Sequence, residues 1–232
     1  MTILIEEIKS SLLEHSKLRK EIIALAKRNT HHLNESVFDE TNPLFDYIAT
    51  REEVRTELFL NRIGRSDDHK LHFLVVKDSL HKQLMAYAVL TPTLGHPNRV
   101  SITALVVHEN NRGQGVFKLL IKHIQQQFSE VALTCFPSLV PLYEKAGFKV
   151  IGTRNTLIIM EFGEKLPLAR GTIIAVDDEY VISQPKVIKA QREVRQRVGE
   201  IAFKSGLAKW QEDTDNAVEI ANIFFKDNYL NK

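Results

Sequence analysis

The sequence predicts a mixed α/β protein: a mostly antiparallel sheet flanked by helices, with a helical C-terminal extension. Three observations carry that expectation. The runs LHFLVVK (71–77) and QLMAYAVLT (83–91) are apolar, rich in β-branched and aromatic residues, and joined by a short polar turn, which is the pattern of a β-hairpin. From residue 100 to 162, strand-like runs then alternate with stretches of helical periodicity. Helix-forming segments precede this block and follow it, so the element order is that of a mixed sheet covered by helices.

Residues 1–30 read as helix, because Ile5, Ile8, Leu12 and Leu13, and then Ile22, Ile23 and Leu25, recur at helical spacing. The polar run 30–46 contains His31, His32 and Asn42-Pro43 and reads as a connection with at most short helical pieces. A helix over 51–63 ends at Gly64. After the hairpin, GHPN turns the chain into a third strand, VSITALVV (100–107). A glycine turn leads to a helix over 116–128, then a strand, EVALTC (130–135). A short helix, SLVPLYEKAGF (138–148), stops near Gly147, and TLIIMEF (156–162) adds one more strand. These elements predict one domain over 1–165 and an extension over 166–232. In the extension TIIAVDDEYVIS suggests a small hairpin, and Ser183 with Pro185 opens a helix to about Lys204, before Gly206. Val187, Val194, Val198 and Ile201 form its apolar stripe, and Asn216 with Glu219 resembles a capping pair for a final helix.

Composition narrows the function classes. With 44% hydrophobic and 26% charged residues, the 232-residue chain has the make-up of a soluble globular protein. Its 31 basic and 29 acidic residues leave a net charge of +2, so no global pull toward nucleic acid or membrane exists. One cysteine, Cys135, excludes an intrachain disulfide and a cysteine-rich zinc site, and the nine histidines show no metal-ligand spacing. No apolar run is long enough to span a bilayer, and Glu6 and Glu7 interrupt the start before a signal-peptide core could form. A reducing cytoplasm is the expected compartment, with no metal and no membrane partner.

The stretch VVHENNRGQGVFKLL carries the chemistry. Gly115 lies where a buried strand becomes a helix. Backbone N–H groups there lack intrahelical partners, and the helix N-terminus carries about half a positive charge. Such a nest suits a phosphate or diphosphate, and glycine lets the ligand approach the backbone. Arg112 adds a cation. A Walker loop would need Lys-Ser/Thr where Val116-Phe117 stands. The dinucleotide fingerprint would need a third glycine where Lys118 stands, and the acidic residue it expects about 20 positions on is missing. By itself an Arg-Gly-x-Gly turn is most often only a strand-to-helix corner.

Residues 105–120 resemble motif A of the GNAT superfamily of acyl-CoA-dependent N-acyltransferases, with Arg112, Gly115 and Phe117 at its three defining places. Phe117 departs from the small residue expected last, so its bulk must point away from the diphosphate. PLYEKAGF (141–148) looks like motif B, with Tyr143 at its tyrosine position; Phe136 stands where many members carry an asparagine. The resemblance covers about residues 70–162, and the two motifs in order, separated by EVALTC, make it specific. It implies acetyl-CoA as co-substrate, held by Leu105, Val106, Val107, Arg112, Gly113, Gln114, Gly115, Val116, Phe117 and Phe136. It further implies that the strand ending at Val107 splays from its neighbour near Cys135. The Val107 N–H would then be the oxyanion donor, and Tyr143 the general acid for the leaving thiolate.

The general base stays open. The central strand contains no carboxylate. Glu109, a water held by Thr103 or Tyr87, and the loop residues His31, His32 and Asp39 all remain candidates, each also readable as an ordinary surface or core polar group. Cys135 could serve as an acetyl relay, but a small buried hydrophobe is the commoner role. In the tail, seven basic residues between Lys186 and Lys209 precede five acids between Glu212 and Asp227. A helical hairpin with complementary faces, packed on the domain or pairing two subunits as a homodimer, explains this more simply than an RNA-binding face. The expected activity is acetyl transfer to an amine on a small molecule or protein. Two alternatives stand beside it: a non-catalytic CoA-binding sensor, and a toxin-like enzyme acetylating aminoacyl-tRNA.

Overall fold

The computed structural model describes residues 3–9, 16–67, 70–163 and 175–230. One seven-stranded sheet organises them, in the order β1-β2-β3-β4-β5-β7-β6. Its strands are β1 (Ile3–Glu7), β2 (His72–Asp78), β3 (Leu84–Thr93), β4 (His96–Val107), β5 (Glu130–Cys135), β6 (Lys149–Arg154) and β7 (Leu157–Phe162). Every neighbouring pair is antiparallel except β4–β5. That parallel pair sits at the centre because the helix α4 (Val116–Gln127) carries the chain back between its strands.

Helices cover both faces. On one face Val116, Leu120, Ile121 and Ile124 of α4 bury a single stripe against Leu74, Ala86, Leu133 and Met160, together with the short helix α5 (Val140–Glu144). On the other, α1 (Ser16–Arg28) and α3 (Phe45–Leu60) pack Ile22, Leu25, Phe59 and Leu60 on Phe73, Tyr87 and Val89. A one-turn helix α2 (Thr30–Leu33) follows α1. A third core joins α3 to the extension helices α6 (Asp178–Ile182) and α7 (Pro185–Phe225) through Tyr47, Ile48, Val181, Val187, Val194 and Phe203.

Within β4 the pairing shifts from Leu90↔Ile102 to Val89↔Ala104, so Thr103 is an extra, bulged residue. The bulge reverses the strand's faces. Val100 and Ile102 enter the α4 core, whereas Ala104 and Val106 enter the α1/α3 core.

Several expectations change. The first segment is not one helix: Ile3 and Ile5 alternate into the α4 core as an edge strand, and helix starts only at Ser16. The part of that reading on 10–15 lies outside the described residues. The predicted helix 51–63 begins earlier, at Phe45, because Tyr47 and Ile48 are needed in the third core. The helix 138–148 is a 3-10 turn, Pro137–Leu139, followed by only Val140–Glu144. β6 was not anticipated, since KVIGTR lacks a clear alternation. It forms as a hairpin arm with β7 across Asn155, which adopts φ 52°. The hairpin expected at 172–183 is replaced over Asp178–Ile182 by α6, capped by the Asp177 carboxylate accepting from the Glu179 N–H; positions 172–174 lie outside the described residues.

The two tail helices divide at Gly199 (φ 81°, ψ 162°), not near Gly206. Gly206 lies inside α7 because a Cβ there would stand 2.9 Å from Pro43 Cγ and 3.1 Å from Leu44 Cγ. Asn216 and Glu219 are also mid-helix. The break at Gly199 rotates Ile201 off the predicted stripe, leaving it 88% exposed, while Val187 and Val194 stay buried.

Candidate active site

Hydrogen bonding between β4 and β5 runs only from Arg99↔Glu130 to Ile102↔Leu133, although β4 continues to Val107 and β5 to Cys135. The central strands therefore end with unpaired edges facing one another. The N–H of His108 donates to the Met85 carbonyl at 2.8 Å. In an antiparallel ladder the bonding direction alternates, so the Val107 N–H and C=O point away from β3 and toward the β5 side. There the Val107 carbonyl accepts from Arg112 Nε at 3.3 Å. Leu105 and Val107 lean on the α4 core, and Val106 is buried on the opposite face.

The loop after β4 is shaped by local bonds. His108 accepts from the Asn110 N–H, Glu109–Asn111 forms a 3-10 turn, and Gln114 Nε2 donates to the Asn110 carbonyl at 2.7 Å. Gly113 and Gly115 adopt φ 75° and 79°, a left-handed conformation that disfavours other residues. No atom lies within 4 Å of a Cβ built at either, so backbone conformation, not crowding, demands glycine, and the space above the loop is open. Gly115 is the N-cap of α4, and no side chain caps the N–H groups of Val116 and its neighbours. Free N–H groups and the positive end of the helix dipole make this N-terminus chemically suited to a diphosphate.

Phe117 solves its steric problem by turning to α5. Its ring meets Tyr143 edge-on at 5.2 Å, and Tyr143 meets Phe148 edge-on at 5.6 Å. Tyr143 is only 8% exposed. Burial, with a lesser effect of Cys135, raises its pKa well above the usual tyrosine range, so the phenol stays protonated. Burial also pushes the Cys135 thiol up to about 12, and its Sγ faces Met160 Sδ at 3.7 Å. A thiol held protonated at neutral pH is a poor relay nucleophile. Phe136 is half-buried and opens the 3-10 turn that leads to α5.

The base candidates separate. Tyr87 is fully buried under α3 and stacked on Phe73. Thr103 Oγ1 is shared with Thr91 Oγ1 at 2.7 Å. Asp39 accepts from the Thr41 N–H, which lowers its pKa and commits it to its own loop. His31 pairs with Glu40 at 3.5 Å. His32 lies against His31, with ring centres 3.9 Å apart and planes tilted by 50°. Burial, then His31 and Arg112, lowers the His32 pKa, so the ring is neutral at pH 7 and lies within electrostatic reach of the loop. Burial works against the Glu109 charge, but hydrogen bonds from its own backbone and Asn29, with His108 and Arg28 nearby, keep its pKa low.

The profile of the Acetyltransferase (GNAT) family matches residues 34–148, about half of the chain. The chain carries a GNAT acetyltransferase domain. Its fold is similar to that of the PaiA N-acetyltransferase from Thermoplasma acidophilum, solved in complex with coenzyme A: 22% identity, 71% of this chain and 100% of that one, TM-score 0.53. It is also similar to the GNAT domain of S. lividans PAT, at 13% identity, over 70% of this chain and 90% of that one, with TM-score 0.50. At these identities the likeness is one of fold. No curated protein matches.

Two residues of the GNAT domain's open end were not anticipated from sequence. Asn29, at the end of α1, is 2% exposed and contacts both Glu109 and Arg112. Glu35 clasps the β6–β7 turn: its carboxylate pairs with Arg154 and accepts from Asn155 Nδ2 at 3.4 Å, and its carbonyl accepts from Thr156 Oγ1. Polar residues after a helix were the only signal, and their partners lie 80 to 121 positions away in sequence.

Elsewhere, a cavity of about 180 Å³ opens at the other end of β4, beside Arg99 and Lys149. Arg99 is already paired with Glu130 and Glu161, so its charge is spent. In the tail, Lys186, Lys189, Arg195, Arg197, Lys204 and Lys209 each lie within 4.0 Å of an acid, on α3 or within five residues along α7, so these charges are met and the less favoured RNA-binding face gains no support. Among the described residues no cluster of three or more His, Cys, Asp or Glu could hold a metal ion, and no helix is long and apolar enough to cross a membrane.

Proposed function

We propose that this GNAT domain moves an acetyl group from acetyl-CoA to an amine by direct attack of the amine on the thioester. The observation that carries the reading is one juxtaposition: the outward Val107 N–H at the unpaired end of β4 leads directly into the open, left-handed glycine loop at the N-terminus of α4. When bound, acetyl-CoA supplies an activated acyl carbon. The N–H groups from Gly113 to Phe117 would hold its diphosphate, and Leu105, Val106, Val107 and Phe136 would line the acyl arm between β4 and β5. The Val107 N–H donates to the oxygen that gains charge as the amine attacks. Tyr143 keeps its proton at neutral pH and can hand it to the departing sulfur. His32, neutral at pH 7, can take the proton that an alkyl ammonium, with a pKa of about 10.4, must lose before it attacks.

Isothermal calorimetry with CoA tests the first half of this reading. Binding that Gly115→Glu abolishes is expected; no binding at millimolar CoA overturns it. A second reading, a CoA-binding module without turnover, is favoured by the apolar end of β4, where Leu105, Val106 and Val107 offer no carboxylate. Free-thiol release with a panel of small amines, peptides and aminoacyl-tRNA separates the two, and also reports the acceptor class.

A further inference from the structure

Asn29 stands out because a single buried amide reads two separate residues of the glycine loop. Its Oδ1 accepts from Arg112 Nη2 at 2.5 Å, and its Nδ2 donates to Glu109 Oε1 at 3.1 Å and to the Leu25 carbonyl at 2.8 Å. The last bond ties the amide to the final turn of α1, so it cannot rotate freely. Arg112, gripped at one nitrogen, places its Nε on the Val107 carbonyl at 3.3 Å. The result is a continuous chain of hydrogen bonds, Leu25–Asn29–Arg112–Val107, running from a packed helix to the unpaired end of β4. Arg28 approaches the same Glu109 carboxylate at 3.8 Å and closes the other side.

We infer that Asn29 is a positioning residue for acetyl transfer: acting through Arg112, it fixes the end of β4 so that the Val107 N–H stays aimed at the reacting carbonyl. The inference rests on the acetyl-transfer reading. Its physical motive is that β4 has lost β5 as a partner beyond Ile102, so one edge of the strand end needs another restraint. Displacement of an oxyanion donor by a fraction of an ångström weakens the transition-state bond while leaving ground-state binding nearly intact.

The test compares Asn29→Ala, Asn29→Asp, Arg112→Ala and the Asn29→Ala/Arg112→Ala double variant by steady-state kinetics and melting temperature, after CoA binding by the wild type is established. Asn29→Ala should lower kcat about tenfold to a hundredfold with the KM for acetyl-CoA changed less than about threefold. Added to Arg112→Ala, it should cost nothing further in kcat, because the chain is already cut. Asn29→Asp keeps an acceptor for Arg112 but sets a second carboxylate beside Glu109. It should therefore melt below Asn29→Ala yet retain more activity. That opposite order of rate and stability is the signature of positioning. Rates that follow melting temperature across the variants, or additive losses in the double variant, overturn the inference while leaving acetyl transfer standing. A wild type that binds no CoA overturns the functional reading and this inference together.

Discussion

Two glycines divide the molecule's logic between them. Gly115 lies in open space, with nothing within 4 Å of a would-be Cβ, and is required by its backbone angle of φ 79°. Gly206 lies inside α7 and is required by crowding: Pro43, Asn42 and Leu44 stand within 3.1 Å of where a Cβ would go. In the same place Asn42 Nδ2 donates to the Gly206 carbonyl at 3.1 Å, while its Oδ1 accepts from the Leu44 N–H. The first glycine answers to backbone conformation beside open space, and the second answers to packing. The glycine loop is shaped by bonds within a few residues and tethered at Glu109 and Arg112 by a single amide, Asn29. The extension is held by contacts from Lys186 to Glu53 and Glu57, from Arg197 to Asp46, and from Asp178 to Arg51 and Arg55. The lesson is that substitutions near the loop should change rate or binding, and substitutions along α7 should change stability.

Tyr143→Phe tests the functional side with the largest expected effect. It keeps both edge-to-face ring contacts and removes only the hydroxyl. A kcat loss of about a hundredfold to ten-thousandfold, with acetyl-CoA affinity almost unchanged, is expected of a general acid. A rate within a few-fold of wild type, in a folded protein, would remove Tyr143 from the chemistry.

Gly206→Ala sharpens the packing side through the sign of its effect. In an ordinary helix interior the change gains about 1 kcal/mol. Here the added methyl meets Pro43 Cγ at 2.9 Å, so a net loss of about 1–3 kcal/mol is expected by chemical denaturation, with CoA affinity of the folded protein unaltered. A stabilised variant would show that the close approach between α7 and the 42–44 turn is not made in solution.

Gly115→Ala should do the reverse. With no steric neighbour, it costs only the left-handed backbone, about 1–2 kcal/mol. Calorimetry should nonetheless show weakened CoA binding, because the methyl projects into the open space above the loop. Equal losses of stability and no loss of binding would erase the contrast with Gly206.

The smallest effect concerns acid. Across the Gly199 break, Arg195 pairs with Glu200, and Lys204 adds to it, pushing the Glu200 carboxyl down to about 2 from its ordinary 4.5. A carboxyl depressed in the folded state contributes stability that is complete above about pH 4.5 and fades as the pH falls toward 2. Because the pair is exposed, the contribution is small. Glu200→Gln should flatten this part of a pH–stability curve by lowering stability slightly above pH 4.5, and should leave stability near pH 2 unchanged. An unchanged acid limb would show that the pair does not act across the break.

The elements legible in sequence share one property: their evidence is local. The β2–β3 hairpin, β4, β5, β7 and α4 announce themselves by periodicity within a dozen residues. The order of Arg112, Gly115 and Tyr143 was equally readable, because a glycine that must adopt positive φ at a strand-to-helix corner is a statement about neighbouring bonds. Tertiary structure decided everything whose cause lies far along the chain. Ile3 and Ile5 fit a helix or a strand until β2 offers a partner edge. Gly206 reads as a helix terminator until Pro43 packs against it. The unpaired end of β4 depends on where β5 stops pairing, which no run of residues encodes by itself. Asn29, one polar residue after a helix, became part of the site only when folding brought Glu109 and Arg112, 80 and 83 positions away, to its amide. A short-range pattern fixes dihedral preference and the face that seeks burial. Which groups meet on burial is set by the packing of the whole chain, and the chemistry of the site is assembled there.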